Sequence, residues 1–186
     1  VYGNDKCWHK VKTNAASNES SVVELKDGTI RAFVKRGGSN TVAYVDFVKT
    51  AEGYAAGELV DTGNGNFSNC MVSALRCQGT CGGREVILVC CPSDSQGGMW
   101  AGRFNGKIYG YFVDEDRSMR LIGTHSLNDS FFAYSNMAQL PDGTLGVLYE
   151  DDCISYRAGN YEGKASHITF KKVDLQEAFG IIFDQN

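Results

Sequence analysis

Two prolines stand against twenty-two glycines in 186 residues, so the chain makes many tight turns, the habit of all-β folds. Positive charge is also in short supply. Eighteen Lys and Arg face 22 Asp and Glu, a net charge of −4 that argues against a broad nucleic-acid-binding face. No apolar run approaches the ~20 residues of a membrane-spanning helix. No charged-then-apolar leader opens the sequence at Val1, which suggests a processed product or a piece of something longer. The three histidines, His9, His125 and His167, share no metal-like spacing. A 42% hydrophobic, 22% charged composition suits one ordinary globular unit.

Seven cysteines sit at 7, 70, 77, 81, 90, 91 and 153. Cys77 and Cys81 have the spacing of a zinc-ligand pair, but Cys90 and Cys91 are adjacent and point to opposite faces of a strand. No metal is expected, and buried free thiols are the reading of an odd count with one vicinal pair. Asn18, Asn66 and Asn128 open formal glycosylation acceptors, and three among twelve asparagines is close to chance.

What is present is repetition. "NESSVVELKDGTIRAFVKR" (18–36) and "YSNMAQLPDGTLGVLYE" (134–150) each reach a leucine, turn on Asp-Gly and leave on Thr plus an aliphatic residue. Alternating apolar residues flank both turns, a strong hairpin signal. Val23 and Leu25 precede the first, and Ile30, Ala32 and Val34 follow on one face. "TVAYVDFV" and "GELVDTG" complete a four-stranded meander. The pattern restarts with "CMVSALR", a Gly82-Gly83 turn, "EVILVC", "GKIYGYFV" and "MRLIG", and again with "YSNMAQL", "TLGVLYE" and "SHITFKKVDL". Turns recur after 55 residues (83 − 28) and 60 (143 − 83), which predicts three β-propeller blades over about 17–62, 68–124 and 131–175. "CWHKVKTN" reads as an outermost strand of a further blade. "DLQEAFGIIF" reads as a short amphipathic helix with Leu175, Ala178, Phe179 and Ile182 on one face. Three blades do not close a ring, so the chain is expected to be half of a six-bladed propeller whose N-terminal half lies elsewhere.

Innermost strands converge on one mouth. Six residues before the turn leucine stand Glu19 in the first unit, Asn69 in the second (counted from Leu75) and Tyr134 in the third. A carboxylate within reach of a phenol can take its proton during nucleophilic attack, since free phenol with a pKa near 10 is a poor nucleophile. The pairing suits an anionic substrate. Two like unit charges 4 Å apart repel by ~1 kcal/mol in water and ~4 kcal/mol at an effective dielectric of 20, and a neutral tyrosine avoids that. The anion then needs a cationic clamp, for which arginine has the planar fork.

"NESSVVELKDG", "RFNGKIYGYF" and "AYSNMAQLPDGTLGVLYE" resemble the second half of the catalytic domain of exo-sialidases, six-bladed propeller glycoside hydrolases with a tyrosine nucleophile. The resemblance implies removal of terminal sialic acid from sialylated glycoconjugates, with Tyr134 as nucleophile and Glu19 as its base. Arg103 resembles one of three arginines that grip the substrate carboxylate, and Glu150 the residue that orients another. The family's second arginine falls sixteen residues past the glutamate, at Lys35 here, with Arg36 next; Arg36 is favoured because a bulge would return it to the pocket. No cofactor is implied, and extracellular residence is the family's commoner habit. The family's acid/base aspartate and first arginine come from the earlier half and are not in this sequence. "SDSQGGMW" keeps part of an Asp box, the family's turn motif, but has Ser95 where the aspartate belongs, and reads as coincidence. A non-catalytic sialoside-binding or scaffold fragment is the alternative reading.

Overall fold

Both Asp-Gly-Thr turns close in the same way. In the computed structural model, which describes residues 19–34, 41–64, 70–94, 103–151 and 167–183, Leu25 N–H donates to the Thr29 carbonyl and Leu140 N–H to that of Thr144, both at 2.8 Å. The aspartate caps each loop: Asp27 Oδ1 accepts from Thr29 N–H at 2.9 Å, and Asp142 Oδ1 from Thr144 N–H at 3.1 Å. Gly28 and Gly143 take φ of 84° and 87°, the left-handed region open to a residue without Cβ. The repeat in sequence is a repeat in space.

Eleven strands and one helix make up the described residues. They are β1 (Ser20–Glu24), β2 (Ile30–Val34), β3 (Ala43–Thr50), β4 (Gly53–Asp61), β5 (Ser73–Cys81), β6 (Arg84–Asp94), β7 (Phe104–Val113), β8 (Met119–Ser126), β9 (Phe132–Gln139), β10 (Leu145–Asp151), β11 (His167–Val173) and α1 (Leu175–Phe179). They form three antiparallel sheets, β1-β2-β3-β4, β5-β6-β7-β8 and β9-β10-β11. The first strand of each sheet is innermost, and β5 packs against β1 on one side and β9 on the other. Near their starts Ser73 meets Ser135 at 2.9 Å, and further along Gln78 N–H reaches the Gln139 side chain at 2.8 Å, so β5 and β9 run in parallel. These are propeller blades around a common axis, the third with three strands among the described residues.

The middle blade shows why "VILVCC" is continuously apolar. Val86, Leu88 and Cys90 enter the core shared with the third blade, while Ile87, Val89 and Cys91 enter the core shared with the first. A sheet covered on both faces needs no polar alternation. The vicinal cysteines are divided between the two cores as expected, and burial pushes the Cys90 thiol up to about 12. Among the described residues no His, Cys, Asp and Glu cluster could hold a metal. No described helix is long and apolar enough to cross a membrane.

Two details, the place of Leu75 and the end of α1, differ from the sequence reading. The five-residue loop Leu25–Thr29 sets Val23 opposite Arg31, so Arg31 and Phe33 face the middle blade and Ile30, Ala32 and Val34 share the other face of β2. Leu75 pairs with Leu88 in mid-strand, and β5 turns only after Cys81, so Leu75 is not the counterpart of Leu25 and Leu140. α1 ends at Phe179 because Gly180, at φ 67°, caps it. Ile181 then takes the buried place, and Ile182 leaves the helix to bridge Thr80. The proposed strand "CWHKVKTN" and most of "SDSQGGMW" lie outside the described residues.

Apolar side chains stay exposed on the outer faces of the end blades. Val22 is 63% exposed on the first, and Leu148, Ile168 and Phe170 are 47%, 68% and 55% exposed on the third. A blade face in a closed ring is covered by its neighbour.

Candidate active site

Tyr134 owes its orientation to an irregularity in β9. Leu148 pairs with Asn136 and Glu150 with Ala133, so Tyr134 and Ser135 together oppose the single residue Tyr149. Such a bulge re-aims a side chain. Tyr134 takes φ 42°, unusual for a bulky residue. The strand changes phase there: Met137 and Phe132, an odd number of positions apart, both reach the inter-blade core, and Tyr134 is left 39% exposed. The other tyrosine at the bulge differs in kind. Tyr149 is buried, stacks on Phe132 at 4.8 Å, and has its phenol pushed up to about 12 by burial, with the charge of Asp151 adding to it.

Arg103 stands just before β7, at the same end of the molecule as the start of β9. It is buried, with 3% exposure. Its Nη2 donates to Tyr134 Oη at 3.3 Å, and its guanidinium carbon lies 4.8 Å from the centre of the Tyr134 ring. The two segments are also joined by backbone, with Phe132 N–H donating to the Arg103 carbonyl at 2.8 Å and Asn105 N–H to that of Ser130 at 3.0 Å.

The R-x-N-G spacing has a local cause. Asn105 adopts φ 55°, which asparagine tolerates better than most residues, and its carbonyl accepts from Ser93 Oγ at 2.7 Å. A Cβ on Gly106 would come within 2.0 Å of the Phe132 ring. Gly106→Ala is therefore expected to destabilise the protein by about 2–3 kcal/mol, because ring and backbone must both move. A urea midpoint unchanged from wild type would contradict that packing.

No family model matches the sequence. An anhydrosialidase of Macrobdella decora is 26% identical over 148 residues, covering 74% of this chain and 18% of that protein. A leech intramolecular trans-sialidase with bound 2,7-anhydro-Neu5Ac superposes with a TM-score of 0.71 at 24% identity, over 87% of this chain and 24% of that one. An intramolecular trans-sialidase from Ruminococcus gnavus gives 0.70 at 23% identity, over 86% and 33%. NanB sialidase from Streptococcus pneumoniae gives 0.71 at 22%, over 89% and 24%. This chain is a segment of a sialidase-type propeller. It spans a third or less of the length of each of these relatives.

In this sialidase-type segment the sequence-derived site residues are distributed unevenly. Arg103 and Tyr134 are brought into contact. Glu19 directly precedes β1, whose Ser21 Oγ accepts from Ala74 N–H on β5 at 3.0 Å; Ser73 beside it meets Ser135 beside Tyr134. Glu19 and Tyr134 thus stand near the starts of inner strands on either side of β5. Glu150 pairs with Ala133 and Ile168 and shares the outer face of the third blade with Leu148 and Phe170; it makes no ion pair among the described residues. Arg36, Lys35 and Asn69 lie outside the described residues. A cavity of about 710 Å³ lies at the opposite, turn end, lined by Leu140, Asp142 and Ile182, and is not this site.

Sequence reasoning missed the residues that join the blades here. Ser73 and Ser135 are buried and hydrogen-bonded to each other, and two serines inside apolar strands were the available signal. Asn128 was read only as a glycosylation acceptor. Its Nδ2 donates to the Phe131 carbonyl and to Asp151, with Ser130 Oγ also 3.2 Å away, and its Oδ1 accepts from Gly106 N–H, so its amide is fully engaged.

Proposed function

We propose that this chain supplies one side of a sialic acid-processing site, completed by the remaining blades of a longer sialidase. The reading is carried by one observation: a buried arginine donates to the phenol of a tyrosine set on an inner-strand bulge. In this mechanism Tyr134 Oη attacks the anomeric carbon of an α-sialoside while the bond to the leaving oxygen breaks. Glu19 takes the phenolic proton. The leaving oxygen is protonated by an acid from the other blades. Water, or a hydroxyl of the sialic acid itself, then displaces the tyrosine and returns the first configuration. Arg103 and Arg36 hold the substrate carboxylate, and Glu150 orients a further arginine. Arg103 also lies where negative charge develops as the phenol loses its proton. No metal or organic cofactor enters these steps. Extracellular sialylated glycoconjugates are the proposed substrates.

The apolar outer face of the third blade around Leu148, Ile168 and Phe170 supports the need for further blades. The test supplies the complete propeller with a fluorogenic α-sialoside and resolves the product as free or 2,7-anhydro sialic acid. The expected result is turnover that falls at least about 10²-fold in Glu19→Gln. Sialoside binding without turnover in the wild type would instead make this a binding module.

A further inference from the structure

Arg103 belongs to the second blade and Tyr134 to the third, so their distance depends on how two blades are joined. We propose that Asn128 and Asp151 are positioning residues that fix this joint and so set the geometry between Arg103 and Tyr134. The inference rests on the sialidase reading above. Three pieces of chain meet at these side chains: residues 103–106, which carry Arg103; residues 127–132, which lead into the bulge; and the paired ends of β10 and β11.

Asn128 is the hub. Its Oδ1 accepts from Gly106 N–H at 2.9 Å, and its Nδ2 donates to the Phe131 carbonyl at 2.9 Å and to Asp151 Oδ1 at 3.1 Å. Asp151 anchors the hub to the outer strands of the third blade. Its Oδ1 also accepts from Ser130 Oγ at 3.1 Å, and its Oδ2 from Thr169 Oγ1 at 3.3 Å on β11. Asp151 pairs with Phe132, whose N–H in turn holds the Arg103 carbonyl. One amide and one carboxylate thereby fix the approach of Arg103 to the phenol without touching substrate. A shift of ~1 Å in such an alignment can cost about 10²-fold in rate.

The donor and acceptor roles dictate the test, made in the complete propeller enzyme. Asn128→Asp keeps an acceptor for Gly106 but sets a second carboxylate against Asp151, and is expected to lower kcat by about 30- to 100-fold. Asp151→Asn keeps an acceptor for Asn128 and is expected to stay within about fivefold of wild type. The double variant Asn128→Asp/Asp151→Asn restores one donor–acceptor pair and is expected to recover at least about tenfold of the lost rate. Amide hydrogen exchange at Asn105 and Phe132, whose N–H groups cross the joint, should quicken in Asn128→Asp and slow again in the double variant. A merely structural role predicts a lower unfolding midpoint with kcat of the folded protein within about threefold of wild type, and no rescue; that outcome overturns the proposal. If the wild type itself shows no turnover, the sialidase reading falls, and exchange at the two amides decides the joint by itself.

Discussion

Replacing Tyr134 by Phe in the complete enzyme is expected to lower sialoside turnover by at least about 10³-fold, roughly 4 kcal/mol of transition-state stabilisation. The substitution removes one oxygen and leaves the ring, so the bulge opposite Tyr149 and the Arg103 stacking contact both survive. Folding should lose about 1–2 kcal/mol at most, the cost of taking one 3.3 Å acceptor from the buried Arg103 guanidinium, far less than the loss in turnover. Binding of a sialoside should weaken far less than turnover, since the substitution leaves the proposed carboxylate clamp of Arg103 and Arg36 in place. Turnover within a few-fold of wild type would remove Tyr134 from the chemistry. Tyr149→Phe is the control: it lies behind the sheet in the inter-blade core and should leave the chemical step alone.

The second large effect concerns stability at the opposite end of the blades. Arg31 is fully buried and forms a two-pronged pair with Asp46, Nε to Oδ1 at 2.7 Å and Nη2 to Oδ2 at 2.8 Å. Nη2 also donates to the Arg117 carbonyl at 2.6 Å, and the guanidinium lies 3.9 Å from the Tyr44 ring centre. The group therefore ties the first blade to the β7–β8 turn of the second. Asp46→Ala would leave a buried guanidinium without its counter-ion, and the expected loss is about 3–5 kcal/mol. Arg31→Met combined with Asp46→Ala should recover much of that loss, because an apolar chain of similar length has no charge to desolvate. The urea midpoints of the single and double variants measure both statements. Equal midpoints for Asp46→Ala and wild type would show that the pair contributes nothing.

The sequence carried the architecture because the architecture repeats. Leucine, Asp-Gly and threonine recur in the first and third units, and each part has a local job: carboxylate cap, left-handed glycine, backbone closure. Such short-range chemistry can be read from neighbouring residues alone. The middle unit hid its register because β5 carries a bulge between Arg76 and Thr80 and turns on Gly82-Gly83, so a count from Leu75 started in mid-strand. The side of each strand in the first hairpin was also not local information. It depended on a loop of five residues, which placed Arg31 and Phe33 toward the middle blade. The candidate site divides along the same line. Tyr134 stood out by its register with Glu19, six residues before the turn leucine, and Arg103 by the resemblance of its R-x-N-G motif. Asn128 and Asp151 did not, since their partners lie 22 and 23 residues away in sequence and only packing brings them together.

The most direct test is to treat the complete enzyme with a 3-fluorinated sialosyl fluoride, whose electron-poor ring slows breakdown of a glycosyl-enzyme, and to map the adduct by peptide mass spectrometry. The account predicts one sialosyl adduct on the peptide containing Tyr134, absent in Tyr134→Phe and unaffected in Tyr149→Phe. An adduct on Glu19, or none from an enzyme that still turns over sialosides, would contradict it.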